Sequence, residues 1–145
     1  MVVDDDTMTA FINKRILKII GYSGETKVFH DGQEALHYMQ NAFTNEKDLP
    51  DLILVDINMP KMNGWEFLDE FSKMNGWEFL DEFSKMNGIN KEISVVMLTN
   101  SVNEEDTIRS SQYVVVDHML NKPLSEHEFK KLLKMHASDK KLIAS

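Results

Sequence analysis

Residues 52–64 read LILVDINMPKMNG, and their pattern indicates the class of fold. Four consecutive apolar residues, Leu52–Val55, are followed at once by Asp56. A nearly continuous apolar run of this kind is typical of a parallel β-strand that is buried on both faces. Gly64, at the end of the stretch, opens a helical pattern. The stretch therefore predicts a strand, a loop that begins with a carboxylate, and a helix.

The segments on either side repeat this strand–helix order. Upstream, the sequence predicts a short apolar strand at Met1–Val3, a helix over Met8–Ile20, a strand over Thr26–Phe29 and a helix over Gln33–Ala42. Downstream, it predicts a strand over Ile93–Leu98, a helix over Glu104–Ser111, a strand over Tyr113–Leu120 and a final helix from Ser125. Repeated β–α units predict an α/β fold, an open parallel sheet with helices on both faces.

Polar side chains follow the predicted strands at the points where they end. These residues are Asp4–Asp6, Asp56, Thr99 and Lys122. Because functional sites in open parallel sheets lie beyond the carboxyl ends of the strands, we expect these side chains to meet on one rim. The acidic triplet has a second interpretation, since an aspartate after a strand often caps the next helix.

The chemistry of this rim follows from its charges. Clustered carboxylates repel one another, so either their pKa values rise or a cation neutralises them. The chain has no cysteine, and its five histidines show no metal-ligand spacing, so an all-oxygen site favours Mg²⁺. A cation, a lysine and a hydroxyl can hold a phosphoryl group, and an aspartate can accept it as an acyl phosphate. The residues therefore indicate a Mg²⁺-dependent aspartyl-phosphate site.

The motifs at these strand ends resemble those of response regulator receiver domains of the CheY-like kind. The blocks that carry the resemblance are Val2–Asp6, Leu52–Gly64, Val96–Asn100 and Asn121–Leu124. The resemblance covers essentially the whole chain. It implies a flavodoxin-like, doubly wound sheet of five parallel strands in the order 2-1-3-4-5.

The resemblance also implies a role for each residue of the rim. Asp56 would accept a phosphoryl group from a phosphohistidine on a sensor histidine kinase or a histidine phosphotransfer protein. Asp5 would ligate Mg²⁺ directly, Asp4 would support the ion, and the backbone carbonyl of Asn58 would complete the protein ligands with Asp56.

Three further positions follow from the same resemblance. Lys122 would pair with Asp56 and later with the phosphoryl oxygen, and Thr99 would move to hydrogen-bond the phosphoryl group. The peptide bond before Pro123 is expected to be cis. Met119 departs from the family, which often carries Tyr or Phe there, so switching through an aromatic ring is not expected.

A perfect duplication interrupts the family pattern. Residues 61–72 read KMNGWEFLDEFS, and residues 73–84 repeat them identically. At about 100° per residue, 12 added residues leave a continuous helix about 120° out of phase. The third helix is therefore either extended, with Trp77 facing water, or broken at Asn75–Gly76. Either arrangement exposes an aromatic surface and predicts self-association.

Length and charge set the remaining expectations. The 145 residues suit one domain, expected over residues 1–136 with a C-terminal tail at 137–145. A net charge of −8 argues against direct binding to nucleic acid or to an anionic membrane. No long apolar run or signal peptide is evident, so a cytoplasmic protein is expected. The short first strand, Met1–Val3, is expected to leave backbone groups unpaired and to lower stability.

Three functions remain open from the sequence. The first is a receiver that switches an unknown protein target through the face formed by residues 104–111, 113–120 and 125–135. The second is a protein-interaction module that is no longer phosphorylated. The third is a Mg²⁺-dependent phosphatase, although such enzymes typically need a second aspartate where this chain has Asn58.

Overall fold

The computed structural model describes residues 1–22, 24–42, 49–73, 93–100, 102–113 and 116–134. The described strands form one sheet in which every pair is parallel. They are β1 (Val2–Val3), β2 (Val28–Phe29), β3 (Leu52–Asp56), β4 (Ser94–Thr99) and β5 (Val116–Asn121). Their order is β2-β1-β3-β4-β5, which confirms the predicted doubly wound fold.

Helices connect the strands in the predicted sequence. They are α1 (Thr7–Ile19), α2 (Gly32–Ala42), α3 (Gly64–Ser72), α4 (Glu104–Ser111) and α5, described over residues 126–134. The N-cap side chains of α1, α3 and α4 accept hydrogen bonds from free backbone N–H groups in the first turn of each helix. These N-caps are Asp6, Asn63 and Asn103. At α3 the cap is reciprocal, because the Glu66 carboxylate also accepts from the Asn63 backbone N–H. Ser125 accepts from the Glu128 N–H at 3.1 Å, as expected for the predicted cap.

Successive residues of β3 point to opposite faces of the sheet and so belong to two cores. Ile53 and Val55 lie in the core that α2 and α3 cover, whereas Leu54 lies in the core that α1 and α5 cover. Both cores are fully buried around β3. This burial on both sides explains why β3 reads as an unbroken apolar run.

The first strand is short but its backbone is paired, contrary to the sequence-based expectation. Val2 N–H donates to the Lys27 carbonyl at 2.9 Å, and Asp4 N–H donates to the Phe29 carbonyl at 2.9 Å. On the other side, the Met1 carbonyl accepts from Leu54 N–H at 2.9 Å. Met1 therefore continues the ladder beyond the two strand residues.

Two predicted strands have different bounds in the structure. β2 covers only the last two residues of the predicted range Thr26–Phe29. β5 begins at Val116 and continues to Asn121, so Tyr113 lies outside it. Tyr113 instead lies directly after α4, and its ring stacks on the ring of Trp65 in α3.

Helix α1 forms as predicted, but most of the apolar residues whose spacing predicts it stay exposed, while Ile16 and Ile20 pack partly buried against the core. The buried residues of α1 are Ala10, Asn13 and Leu17. Met8 and Phe11 are exposed. These three buried residues lie on the side of the helix opposite to Met8 and Phe11.

Helix α3 ends at Ser72, the last residue of the first copy of the repeat, and Lys73 is its C-cap. The predicted break at Asn75–Gly76, the predicted exposure of Trp77 and the predicted tail at 137–145 lie outside the described residues.

Candidate phosphoacceptor site

The turn after β1 gives its three aspartates three different environments. Asp6 is the N-cap of α1, where its side chain accepts from Met8 N–H and Thr9 N–H. Asp4 is buried, and its Oδ1 accepts from Asp6 N–H at 2.9 Å. Asp5 is exposed beside them. The helix-cap interpretation of this triplet thus holds for Asp6, while Asp4 and Asp5 remain available for the site.

The end of β3 places Asp56 in the same region. Its side chain is buried, and its Oδ1 accepts from the Asn58 N–H at 3.1 Å. The following loop returns closely, since Gly64 N–H donates to the Ile57 carbonyl at 2.8 Å. A Cβ at Gly64 would lie 2.7 Å from the Asp56 carbonyl oxygen, so only glycine allows α3 to start here.

Lys122, directly after β5, joins the two buried carboxylates. Its Nζ donates to Asp4 Oδ2 at 2.8 Å and lies 3.0 Å from Asp56 Oδ2. Its backbone N–H donates to the Thr99 carbonyl at 2.8 Å. The Lys122–Pro123 peptide bond is cis, as predicted. Residues that are 118 positions apart in sequence therefore form one ion-pair network.

Oxygen atoms from Asp4, Asp5 and Asp56 all lie within 4.8 Å of one another. Three carboxylates and one ammonium leave an excess of negative charge in this cluster. Hard oxygen ligands with such an excess fit a divalent cation such as Mg²⁺. The residues present therefore suit the predicted ion, and the contribution of the Asn58 carbonyl stays a prediction.

The electrostatics of the site follow from burial and close charges. Burial and the neighbouring Asp4 charge raise the pKa of Asp56, Lys122 and the hydrogen bond from Asn58 N–H lower it, and the net result is a pKa of about 6. Burial lowers the pKa of Lys122, but its hydrogen bonds to Asp4 and Asp56 outweigh this and raise it overall. The lysine therefore stays charged, while the carboxylate of Asp56 is costly to ionise without a further cation.

Thr99 and Met119 lie on the strands next to β3. Thr99 is the buried last residue of β4, one position beyond Leu98, the register partner of Asp56. Met119, on β5, is partly buried and packs against the core on the α2–α3 side. The switching role of Thr99 stays a prediction.

Helices α3 and α4 are joined by contacts that no pattern in the sequence predicts. Trp65, at the start of α3, is buried and its Nε1–H donates to Asp106 Oδ1 at 3.2 Å. The Arg109 guanidinium lies 5.3 Å from the centre of the Trp65 ring. The Tyr113 ring stacks on the Trp65 ring, with 5.6 Å between the two ring centres. These residues are more than 40 positions apart and form no local motif, so no sequence signal could have paired them.

A doubly wound parallel sheet with buried carboxylates and a lysine at its carboxyl edge defines an α/β domain of the receiver class. The family model described as response regulator receiver domain matches residues 1–134. The chain belongs to this family of two-component signalling proteins. Receiver domains are signalling domains rather than dedicated enzymes.

Relatives and solved structures agree with this assignment. Response regulator Rcp1 of Synechocystis sp. is 32% identical over 111 residues, which cover 76% of this chain and 67% of Rcp1. Probable methanogenesis regulatory protein FilR2 of Methanothrix harundinacea is 26% identical over 131 residues, covering 90% of this chain and 76% of FilR2. The chain spans 44% of the transcriptional regulatory protein CpxR of Klebsiella pneumoniae, at 28% identity over 88% of this chain.

Two solved structures illustrate the shared fold. A two-component response regulator from Cytophaga hutchinsonii superposes with a TM-score of 0.78 at 23% identity, covering 94% of each chain. The chemotaxis protein CheY4 of Vibrio cholerae gives a TM-score of 0.68 at 25% identity, covering 92% of this chain and 93% of CheY4. In the part of the chain that the structure describes, no helix is long and apolar enough to cross a membrane.

Proposed function

We propose that Asp56 accepts a phosphoryl group from a phosphohistidine of a sensor histidine kinase or a histidine phosphotransfer protein, in a Mg²⁺-dependent reaction. The observation that carries this proposal is the position of Lys122 between the buried carboxylates of Asp4 and Asp56, at 2.8 and 3.0 Å. A buried lysine held against an acidic cluster gives a fixed positive charge where phosphoryl oxygens would arrive.

The reaction requires one bond to form and one to break. An Asp56 carboxylate oxygen attacks phosphorus, the phosphorus–nitrogen bond of the phosphohistidine breaks, and the imidazole leaves with its electron pair. Lys122 moves its hydrogen bond from the Asp56 carboxylate to a phosphoryl oxygen. The chain thus promotes its own phosphorylation without acting as a dedicated enzyme.

The acidic cluster would hold the metal ion. Asp5 and Asp56 would ligate Mg²⁺ through carboxylate oxygens, the Asn58 carbonyl would add a third ligand, and Asp4 would support the ion. When bound, Mg²⁺ supplies positive charge to the phosphoryl oxygens. A cation held there would also lower the raised pKa of Asp56 and so favour the nucleophilic carboxylate form of this residue.

Thr99 would report phosphorylation to the surface. This role is supported by the position of Thr99 as the last residue of β4, the strand next to β3, and α4 follows it in the chain. We infer that the output surface comprises α4, β5 and α5 and binds an unknown protein target. The same proposal includes a single domain over residues 1–136 and a cytoplasmic location. It also includes self-association through the duplicated segment and no direct contact with nucleic acid or membrane.

Intact mass spectrometry tests the phosphoacceptor role. Incubation with acetyl phosphate and Mg²⁺ should add one phosphoryl group of about 80 Da, and the Asp56→Asn variant or chelation of Mg²⁺ should abolish the adduct. Asp117→Asn is the matched control, because it removes an exposed aspartate on β5 outside the site. An unmodified, folded and monodisperse wild-type sample would contradict the proposal and favour a non-phosphorylated interaction module.

A further inference from the structure

A side chain from the loop after β2 contacts the peptide group that joins Asp4 to Asp5. The carbonyl oxygen of Asp4 lies 3.0 Å from Nδ1 of His30, the residue that follows β2. A carbonyl oxygen can only accept a hydrogen bond, so Nδ1 carries the hydrogen and donates. In the neutral ring, Nε2 is then the nitrogen without a hydrogen. This contact ties the loop after β2 to the acidic turn after β1.

The hydrogen bond from His30 takes the place of a strand-pairing hydrogen bond. Asp4 N–H donates to the Phe29 carbonyl at 2.9 Å. In a parallel ladder, the carbonyl of the same residue would accept from the N–H two positions further along the neighbouring strand. β2 ends at Phe29, so the ladder does not continue to that position. The imidazole of His30 supplies the donor instead, and two consecutive residues hold the N–H and the carbonyl of Asp4.

The backbone on both sides of His30 is fixed. Phe29 belongs to β2, and its carbonyl accepts from the sheet as described above. On the other side, Asp31 Oδ1 accepts from Gln33 N–H at 2.8 Å, and the Asp31 carbonyl accepts from Ala35 N–H at 3.2 Å. The imidazole is therefore anchored between β2 and the start of α2. A water molecule bonded to the Asp4 carbonyl would have no such anchor.

Asp5 depends on this contact more than Asp4 does. The Asp4 carboxylate has its own partners, since Oδ1 accepts from Asp6 N–H at 2.9 Å and Oδ2 accepts from Lys122 Nζ at 2.8 Å. Asp5 is exposed, and its Cα belongs to the same planar peptide unit as the Asp4 carbonyl. The orientation of that unit therefore helps to set the direction in which the Asp5 carboxylate points.

We propose that His30 is a positioning residue for metal binding, because its Nδ1–H fixes the Asp4–Asp5 peptide group and so holds the Asp5 carboxylate beside those of Asp4 and Asp56. This role rests on the proposed function, since it concerns the same Mg²⁺ site. Oxygen atoms of the three carboxylates lie within 4.8 Å of one another, and His30 is not part of this group. It acts through Asp5 and is not itself a ligand. Residues that orient metal ligands in this way commonly contribute about tenfold or more to metal affinity.

Titration of the isotope-labelled full chain with Mg²⁺, followed by NMR, tests this role. His30→Ala and His30→Phe should each raise the Kd for Mg²⁺ about tenfold, because both lose the donor, although phenylalanine keeps a ring. His30→Asn should stay within about twofold of wild type, because its side-chain amide can donate from a position near that of Nδ1. His37→Ala is the matched control, since it removes an exposed histidine of α2 and should leave Kd unchanged.

Two further measurements separate positioning from other roles. In EDTA at about pH 8, where neutral histidine prevails, the imidazole NMR signals of His30 should show the hydrogen on Nδ1. In phosphorylation by acetyl phosphate, His30→Ala should need about tenfold more Mg²⁺ for half-maximal rate. At saturating Mg²⁺ it should reach the wild-type rate, because His30 does not contact the phosphoryl group.

The outcomes distinguish this role from the proposed function. If wild type binds Mg²⁺ and is phosphorylated but His30→Ala leaves Kd unchanged, the role of His30 is overturned and the proposed function stands. An Nδ1 without hydrogen in the metal-free protein, or a Kd that rises as much in His30→Asn as in His30→Ala, would also overturn it. A wild type that binds no Mg²⁺ would overturn both. Circular dichroism checks that each variant is folded.

Discussion

Replacement of Asp56 by asparagine should stabilise the folded protein at neutral pH in the absence of Mg²⁺. Burial and the neighbouring Asp4 make the ionised Asp56 carboxylate unfavourable in the folded state. Asparagine has nearly the same shape, carries no charge, and can still accept the hydrogen bond from Asn58 N–H. Lys122 keeps its 2.8 Å contact with Asp4, so the variant leaves no buried cation unpaired.

The size of the effect follows from the pKa of Asp56, which rises from 3.8 to about 6. A shift of this size corresponds to about 3 kcal/mol, at 1.36 kcal/mol per unit. Because the folded pKa lies above the unfolded one, the folded state holds the extra proton between about pH 4 and pH 6, and its stability falls as pH rises through this window. This net pKa already includes the contact with Lys122, and asparagine does not reproduce every contact of the protonated carboxyl group, so we expect Asp56→Asn to be more stable by about 1–3 kcal/mol at pH 7.

Urea denaturation in EDTA at several pH values from about 4 to 7 measures the difference directly. The advantage of Asp56→Asn over wild type should be small at pH 4 and should grow to its maximum by pH 7. Asp117→Asn, which removes the same charge at an exposed position, should show little such growth. A difference that stays constant with pH, or a variant that is less stable than wild type at pH 7, would refute the reasoning.

Three other variants probe the same rim. Lys122→Met should lower stability at pH 7 by about 3–5 kcal/mol in EDTA, because Asp4 and Asp56 then share a buried site without a cation, and urea denaturation should show a smaller loss near pH 4. Gly64→Ala should cost about 1–3 kcal/mol in the same assay, because its Cβ would lie 2.7 Å from a backbone oxygen. Mg²⁺ at a hundredfold excess over its Kd should stabilise wild type by about 2.7 kcal/mol in thermal denaturation. Asp5→Asn should lose most of this stabilisation, whereas its stability without metal should change little because Asp5 is exposed.

The order of the elements and the identity of the rim residues could be read from the sequence because they depend on local patterns. The buried strand Leu52–Asp56 shows as an apolar run, and each polar strand end is adjacent to such a run. The parallel topology then brings Asp4, Asp56 and Lys122 together without further information. The bounds of β2 and β5 were less predictable, because they depend on pairing with a neighbouring strand and not on local sequence.

Which side of α1 faces the sheet could not be read from apolar spacing. The helix shows two candidate faces, and the close packing against β1 selects the one with Ala10 and Leu17. Residues with higher hydrophobicity, such as Phe11, are left in solvent. Likewise, the burial of Trp65 could be predicted, but its contacts with Asp106 and Arg109 could not. Both partners lie on α4, which reaches Trp65 only in the completed fold.

The duplication raises the question of why the first copy, rather than the second, supplies α3. Both copies contain the same cap, glycine and apolar residues, so the helix contacts alone favour neither. The first choice leaves 7 residues before the helix and 21 before β4, and the second would leave 19 and 9. Loop-closure entropy differs between these choices by only about 0.1 kcal/mol.

The contacts of the loop between β3 and α3 therefore determine which copy of the repeat forms α3. With the first copy, Met59 is buried in the core between Asp56 and Gly64, and Met62 packs against the same core. The second copy would insert 12 residues between Met59 and the helix and would lose this arrangement, since Ser72 would take the place of Pro60. Burial of one methionine contributes about 1.5–3 kcal/mol, far more than the entropic difference. The loop that shapes the phosphoacceptor site thus also fixes the register of the duplicated helix.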